Sequence, residues 1–324
     1  MADNKMFSPD FASWESTLGC NMSCSHCGLK AGPSCANLRG KELSTQEVIK
    51  LFDDLVLLGV SRLVISGGEF TTRSDWQDIL KYSLSRFDLV RLITNGFLGS
   101  SIFERIKSLK GLENLILSLS LDGLRESHDR NRREGSFDKI MEILKAETEI
   151  YRTVITTVTL ANINELESIF ELLINILIPV WSIQLGLPEG RMRLDNFIGE
   201  DGVRELSDRI LSWQKRSDGI MEIVPDDCFG YGHDMRRNSP WIGCQAGRNL
   251  ITILSDGSVT GCPTTFNQIC GNIRRDSLIN IWNGERMDSY RGWIAGISCE
   301  ICDGKICRGG CRAVRQIFGK QFCF

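Results

Sequence analysis

The sequence predicts an α/β protein, a partial (β/α)6 TIM-like barrel followed by a small cysteine-rich C-terminal domain. Three observations carry this. Short β-rich runs alternate with amphipathic stretches six times between Phe11 and about Arg216. The fourth run, Leu115 to Leu121, alternates leucine with serine near its end, as a barrel strand does where it projects polar groups into the mouth. After Gly219 the alternation stops and cysteines become dense.

Strands are expected at Phe11–Leu18, Arg62–Ser66, Leu89–Thr94, Asn114–Leu121, Thr153–Leu160 and Trp181–Leu187. The helices between and after them are expected at Ser44–Leu58, Asp75–Leu84, Ile102–Leu109, Phe137–Tyr151, Ile163–Leu177 and Glu200–Arg216. The first helix opens on a capping box, with Glu47 placed to reach back to Ser44. Val48, Leu51, Leu55 and Leu58 then give it a core-facing stripe. Six β-then-α units imply a parallel sheet with right-handed crossovers. Six are too few for a closed eightfold barrel, so an open one is expected, with function at the C-terminal strand ends. Residues 1–218 are expected to form the barrel and residues 219–324 the second domain. The latter has short strands (Leu250–Leu254, Ser258–Thr260) and a brief helix (Leu278–Gly284), buries little apolar surface and is expected to need metal to fold.

The chain has 324 residues with 38 Lys+Arg against 41 Asp+Glu, a net charge of -3, which argues against an electrostatic grip on nucleic acid. No apolar run approaches the roughly 18 residues of a membrane span, and Met1–Ser8 lacks a signal-peptide core. A soluble, cytoplasmic protein with no nucleic-acid or membrane partner is expected. Of the 13 cysteines, four fall between Cys20 and Cys35 and nine between Cys228 and Cys323. Disulfides suit small secreted domains without a core, so the two islands read as metal sites.

Cys20, Cys24 and Cys27 directly follow the first strand, in a loop rich in Gly, Ser, Asn and Pro that is unsuited to a helix. A structural zinc site wants four ligands, and this loop offers three thiols plus His26. Iron–sulfur clusters are commonly held by loop cysteines so spaced, and three ligands to a four-iron cluster leave one iron open. The Cys-x3-Cys-x2-Cys spacing, with His26 before the third cysteine, resembles the signature of the radical S-adenosylmethionine (SAM) superfamily. The resemblance implies a partial barrel and a [4Fe–4S] cluster whose open iron chelates SAM. Reductive cleavage of SAM would then give methionine and a 5′-deoxyadenosyl radical that abstracts a substrate hydrogen.

Further residues resemble superfamily positions. Gly67-Gly68-Glu69 ends the second strand like the family's Gly-Gly-Glu motif, with Phe70 in place of the usual Pro. In that reading the glycines let carbonyls and Glu69 meet the SAM ammonium. A Gly-Gly-Glu-Phe string also occurs in nucleotide cyclases, but here it stands at a strand end behind a cysteine loop. Asn95, Ser120 and Asp122 resemble positions near the SAM ribose and methionine, Arg132 one that reaches its carboxylate, and residues 186–191 would lie by the adenine.

The second island, Cys244, Cys262, Cys299, Cys302, Cys307, Cys311 and Cys323, resembles the SPASM domain, which holds two auxiliary [4Fe–4S] clusters; zinc ribbons share its paired Cys-x2-Cys. The four-residue gap before Cys307 is one shorter than the family's usual gap. The resemblance implies that Cys299, Cys302, Cys307 and Cys323 hold the distal cluster and Cys244, Cys262 and Cys311 the nearer one. Cys228 or Cys270 would fill the fourth slot, unless it stays open. Cys228 reads as that ligand or as a catalytic thiol that returns a hydrogen atom to a product radical.

SPASM enzymes modify precursor peptides by crosslinking, epimerisation or oxidation, mature sulfatases, or oxidise small alcohols in antibiotic biosynthesis. Peptide modification is expected here, with a low-potential donor such as flavodoxin or ferredoxin. Nineteen residues precede Cys20, too few for a leader-binding domain, so a separate leader-binding protein is a possible partner. The alternatives are a small-molecule dehydrogenase or, in a different class, an iron–sulfur electron carrier, although a carrier needs no barrel. The Gly-Gly C-terminus of the molybdenum cofactor cyclase is missing from Gln321-Phe322-Cys323-Phe324.

Overall fold

The computed structural model describes residues 7–97, 99–229, 242–265, 267–295 and 310–319. Seven strands, β1 (Phe11–Glu15), β2 (Arg62–Ser66), β3 (Leu89–Thr94), β4 (Leu115–Ser120), β5 (Tyr151–Val158), β6 (Val180–Leu185) and β7 (Glu222–Pro225), run parallel, each beside the next. Three more, β8 (Leu250–Ile253), β9 (Ser258–Thr260) and β10 (Gly271–Asn272), extend the sheet beyond β1. The helices are α1 (Thr45–Leu57), α2 (Trp76–Arg86), α3 (Gly99–Lys107), α4 (Arg125–Asn131), α5 (Ser136–Lys145), α6 (Leu166–Asn175), α7 (Gly199–Arg216), α8 (Leu278–Trp282), α9 (Glu285–Ala295) and α10 (Arg312–Phe318). No helix among the described residues is long and apolar enough to cross a membrane.

Ser44 caps α1 as its sequence requires: its Oγ accepts from Glu47 N at 3.3 Å, and Glu47 Oε2 accepts from Ser44 N at 2.8 Å. Val48, Leu51, Phe52 and Leu55 are buried, and Phe52 meets Trp14 of β1 edge to face, centroids 5.4 Å apart. At the far side of the sheet, Trp181 of β6 packs on Trp213 of α7, which stacks on Phe170 of α6.

Two strands change the expected arrangement. β7 adds a seventh parallel strand beside β6 and ends on Pro225, which suits an edge because it has no N–H to donate. β8, placed by sequence in the second domain, pairs parallel with β1, with Phe11 opposite Leu250 and Trp14 opposite Ile253. That pairing covers the edge of β1 and buries Ala12, Trp14, Ile251 and Ile253 completely. Residues on both sides of position 219 therefore share one sheet.

Other differences have local causes. β1 stops at Glu15 because its partner β2 ends at Ser66: Ser16 N donates to Ser66 O, and beyond it Thr17 O accepts from Gly68 N in the turn after β2. α5 stops at Lys145, not near Tyr151, where the Arg152 guanidinium takes the carbonyls of Ile143, Leu144 and Ala146.

Candidate functional site

The loop after β1 is tied down by backbone and by one arginine. Cys20 N donates to Gly32 O and Gly32 N to Leu18 O, closing its base. Arg191 spans the loop from the β6 side, with Nε to Cys24 O (2.9 Å), Nη2 to Ala31 O (2.6 Å) and its backbone N to Cys27 O (2.9 Å). Gly190, at φ +63°, permits this approach, since a Cβ there would lie 2.2 Å from Gly28 O. Residues 186–191, expected near an adenine, thus also brace the cysteine loop.

The donor set fits an iron–sulfur cluster better than a zinc ion that uses the same loop. His26 has both ring nitrogens engaged: Nε2 lies 3.2 Å from Asp122 Oδ2, and Nδ1 lies 2.9 Å from Asn131 Nδ2. Its pKa is lowered, chiefly by burial, so it sits neutral with the proton on Nε2 and offers no lone pair to a metal. The loop is left with three thiols. Burial pushes Cys20 up to about 11, helped by the Glu69 carboxylate and the neighbouring thiols, and raises Cys24. Such thiols ionise when a cationic centre binds them. Among the described residues no three His, Cys, Asp or Glu side chains converge as they would on a single metal ion.

A cavity of 140 Å³ adjoins the loop, and Cys20, Cys24, Cys27, Gly67, Gly68, Asn95, Ser120 and Arg132 all line it. Gly67 and Gly68 are required by backbone contact. Gly67 has φ +122°, and a Cβ on Gly68 would lie 2.2 Å from Gly19 O, the residue before Cys20. Gly68→Ala is accordingly expected to displace the cysteine loop; iron content after anaerobic reconstitution should fall by about one cluster's worth, with the fold retained by circular dichroism.

Glu69 and Asp122, expected at the cosubstrate, stand behind this wall. Glu69 is fully buried and accepts from Thr71 N, Thr71 Oγ1, Thr94 Oγ1 and Asn95 N, so its carboxylate orients Asn95 and leaves cavity contacts to the glycine backbone. Asp122 is 1% exposed and joins three neighbours. Its Oδ2 takes Arg132 Nε at 2.5 Å and faces His26 Nε2, while Oδ1 accepts from Thr157 N at 2.9 Å. Desolvation works against the charge, but the Arg132 guanidinium wins and holds Asp122 at about 2. Arg132 therefore reaches the cavity as a cation with one side already paired.

A larger cavity, 330 Å³, shares His26, Cys27, Ser66 and Gly67 with the first. It is lined by Ser13 (β1), Ser66 (β2), Thr157 (β5), Gln184 (β6) and Thr252 (β8), so the sheet curls until distant strands face one space. Cys27 stands at one end and Cys228 among the lining residues, with Pro263 and Thr264 from the second island.

Cys228 packs against Cys311 and lies in electrostatic contact with Cys262, which in turn neighbours Cys244. Burial pushes Cys244 up to about 11 and Cys262 up to about 12. Of the two cysteines that the sequence offered as a fourth, Cys228 is the one that gathers with these three. Cys270 is elsewhere, against Gln268 O and Arg286 O, beside arginines and not thiols. Cys35 bonds to Lys30 O, outside both cavities. Cys299, Cys302, Cys307 and Cys323 lie outside the described residues.

Sequence reasoning missed His26 and Asn131 as a support for the loop, Arg191 as its brace, and Glu189 in the larger cavity. Burial pushes Glu189 up to about 7. No local pattern marks any of them, because each acts across a long sequence separation.

Comparison with known proteins places these features. Residues 14–173 match the radical SAM superfamily, and residues 244–311 match SPASM, an iron–sulfur cluster-binding domain. The chain is 29% identical to an AdoMet-dependent heme synthase of Methanosarcina barkeri, over 94% of this chain and 91% of that protein. It is 33% identical to an Fe-coproporphyrin III synthase of the same organism, over 83% and 72%. The mycofactocin maturase MftC of Mycolicibacterium smegmatis is 27% identical, over 96% and 80%. Among solved structures, Streptococcus suis SuiB bound to S-adenosylmethionine shares the fold with a TM-score of 0.76 at 18% identity, covering 94% of this chain and 73% of that one.

Proposed function

The chain belongs to the radical SAM superfamily and carries its SPASM domain, and from that premise we propose that it oxidises a peptide within the 330 Å³ cavity. The cluster on Cys20, Cys24 and Cys27, when bound, supplies the electron that cleaves SAM to methionine and a 5′-deoxyadenosyl radical. The residues of the chain do the rest. Arg132 offers a half-neutralised cation suited to a carboxylate, and Asn95, its backbone fixed by Glu69, turns its amide to Asn21 and Cys20 and so steadies the cysteine loop beside it. The cavity walls exclude water and hold the substrate against the cysteine loop, because a carbon radical reacts with what it first meets.

The lining chemistry supports a peptide. Glu15, Glu189 and Asp226 line the cavity, and no Lys or Arg does so among the described residues. Relatives named for heme and Fe-coproporphyrin III favour a second reading, a tetrapyrrole substrate. A tetrapyrrole's carboxylate arms would meet an acidic wall, which disfavours it. Mycofactocin maturase, and SuiB with its precursor peptide, match the peptide reading.

Removing a hydrogen atom and then an electron from a substrate carbon also releases a proton. Glu189, poised near neutrality, is placed to accept it. We assign Cys228 to the fourth ligand position beside Cys244, Cys262 and Cys311, which leaves no free thiol there to return a hydrogen atom and so favours crosslinking or dehydrogenation over epimerisation. Cys299, Cys302, Cys307 and Cys323 would hold a third cluster. A flavodoxin or ferredoxin would supply the electron, and a separate leader-binding protein would deliver the peptide. Co-expression with a short peptide encoded beside the gene tests the reading: the peptide should lose two hydrogens by mass spectrometry. An unchanged peptide together with turnover of Fe-coproporphyrin III would overturn it.

A further inference from the structure

The three cysteines Cys244, Cys262 and Cys311 stand on separate segments, and one aromatic ring packs against a near neighbour of each. Tyr290 of α9 is 4% exposed. A Cβ on Gly261, which precedes Cys262, would lie 2.2 Å from Tyr290 Cε1. One on Gly247, three residues after Cys244, would lie 2.9 Å from Tyr290 Cδ1. The phenol Oη lies 3.1 Å from Thr265 Oγ1, and Thr265 N donates to Cys262 O. On the same ring stacks the guanidinium of Arg312, its carbon 3.5 Å from the centroid, and Arg312 directly follows Cys311.

Arg312 is only 2% exposed, and its charge lies in electrostatic contact with Cys244 and Cys262. Burial keeps the Tyr290 phenol neutral, so the ring holds the guanidinium by polarisation. Four thiolates around a four-iron cluster form an anionic unit, and that unit becomes one charge more negative on reduction. A fixed cation at its edge stabilises the reduced form more than the oxidised one, and net charge and solvent exposure are among the factors that set cluster potentials.

We propose that Arg312, held on Tyr290, is a positioning residue that raises the reduction potential of the auxiliary cluster on Cys228, Cys244, Cys262 and Cys311. It would thereby ready that cluster to take the single electron given up by the substrate-centred radical. The inference rests on those thiols holding an iron–sulfur cluster.

The test is a dithionite titration of the reconstituted full-length protein followed by EPR, taking as this cluster's signal the one that is absent from C262A. R312M should make one-electron reduction at least about tenfold less favourable, a midpoint lower by about 59 mV or more. R312K, which keeps the charge, should shift less than half as far. Y290F, which keeps the ring in its wedge, should stay near the wild type. An R312M midpoint unchanged at equal iron content, or equal shifts in R312M and R312K, would overturn the proposal. Should R312M fail to load iron, R312K must load it; failure of both would show a purely structural role and overturn it too. A wild type with no signal sensitive to C262A would instead refute the cluster reading beneath it.

Discussion

Asp122→Asn is expected to destabilise the protein by about 3–5 kcal/mol, the cost of removing one partner from a buried ion pair. The carboxylate is enclosed, and Arg132 at 2.5 Å has a side chain only 9% exposed. An asparagine retains an acceptor for Thr157 N but turns an amide toward Arg132 Nε or His26 Nε2, both donors. The guanidinium would be stranded and His26 would lose the contact that fixes its ring. The loss should therefore appear twice, as a lowered anaerobic unfolding midpoint and as poorer retention of iron by the Cys20–Cys27 loop. Replacing Arg132 as well, in a D122N/R132M double variant, should restore part of the stability without restoring activity.

The same cluster of groups sets an acid limit. His128 accepts from Asp122 N through Nδ1, and burial, then Arg132, push it down to about 4 from 6.5. A histidine kept neutral in the fold binds a proton more readily when unfolded. Its contribution is complete above pH 6.5 and is lost as pH falls toward 4, on the order of 3 kcal/mol in total. Asp122 has the opposite chemistry but the same sign: its depressed pKa contributes fully above 3.8 and is lost only as pH falls through about 2. Stability against pH should therefore decline first between 6.5 and 4, and His128→Gln should flatten that decline.

The second large effect is expected from Cys24→Ala, which should reduce SAM cleavage by roughly a thousandfold or more, to the detection limit. Two thiols would remain, and nothing described nearby can replace the third. His26 is occupied on both nitrogens, and Cys35 is bonded to Lys30 O away from the cavity. Because the four-thiol set around Cys228 is remote in sequence, its iron should persist, so total iron falls in part while SAM-dependent activity is lost.

How much of this was legible in the sequence depends on how far each feature reaches. The bounds of β2 and β3 follow from alternation within five or six residues, and the Ser44–Glu47 box lies within four. The cysteine loop was legible because its three cysteines are seven residues apart or fewer. Gly67 and Gly68 were identified by motif, yet their reason, contact with Thr17 and Gly19, is tertiary. The pairing of β8 with β1 spans more than 230 residues, and Leu250–Ile253 alone cannot announce its partner. Glu69 and Asp122 were found as residues, but their protein partners, Thr94 and Asn95 for one and Arg132 and Thr157 for the other, were not, since those contacts are tertiary. Arg312 and Tyr290 carry no sequence signal beyond their own chemistry, because their meaning lies in the three cysteine segments that fold around them.

The central claim is that three thiols, with no fourth ligand from His26, hold a cluster with a corner open to SAM. Its most direct test is to incubate the reconstituted, dithionite-reduced protein with SAM and measure 5′-deoxyadenosine by chromatography and mass spectrometry. The account predicts 5′-deoxyadenosine and methionine in equal amounts, absent from C24A. Iron-loaded protein that leaves SAM intact, with an EPR spectrum unmoved by adding it, would contradict the account.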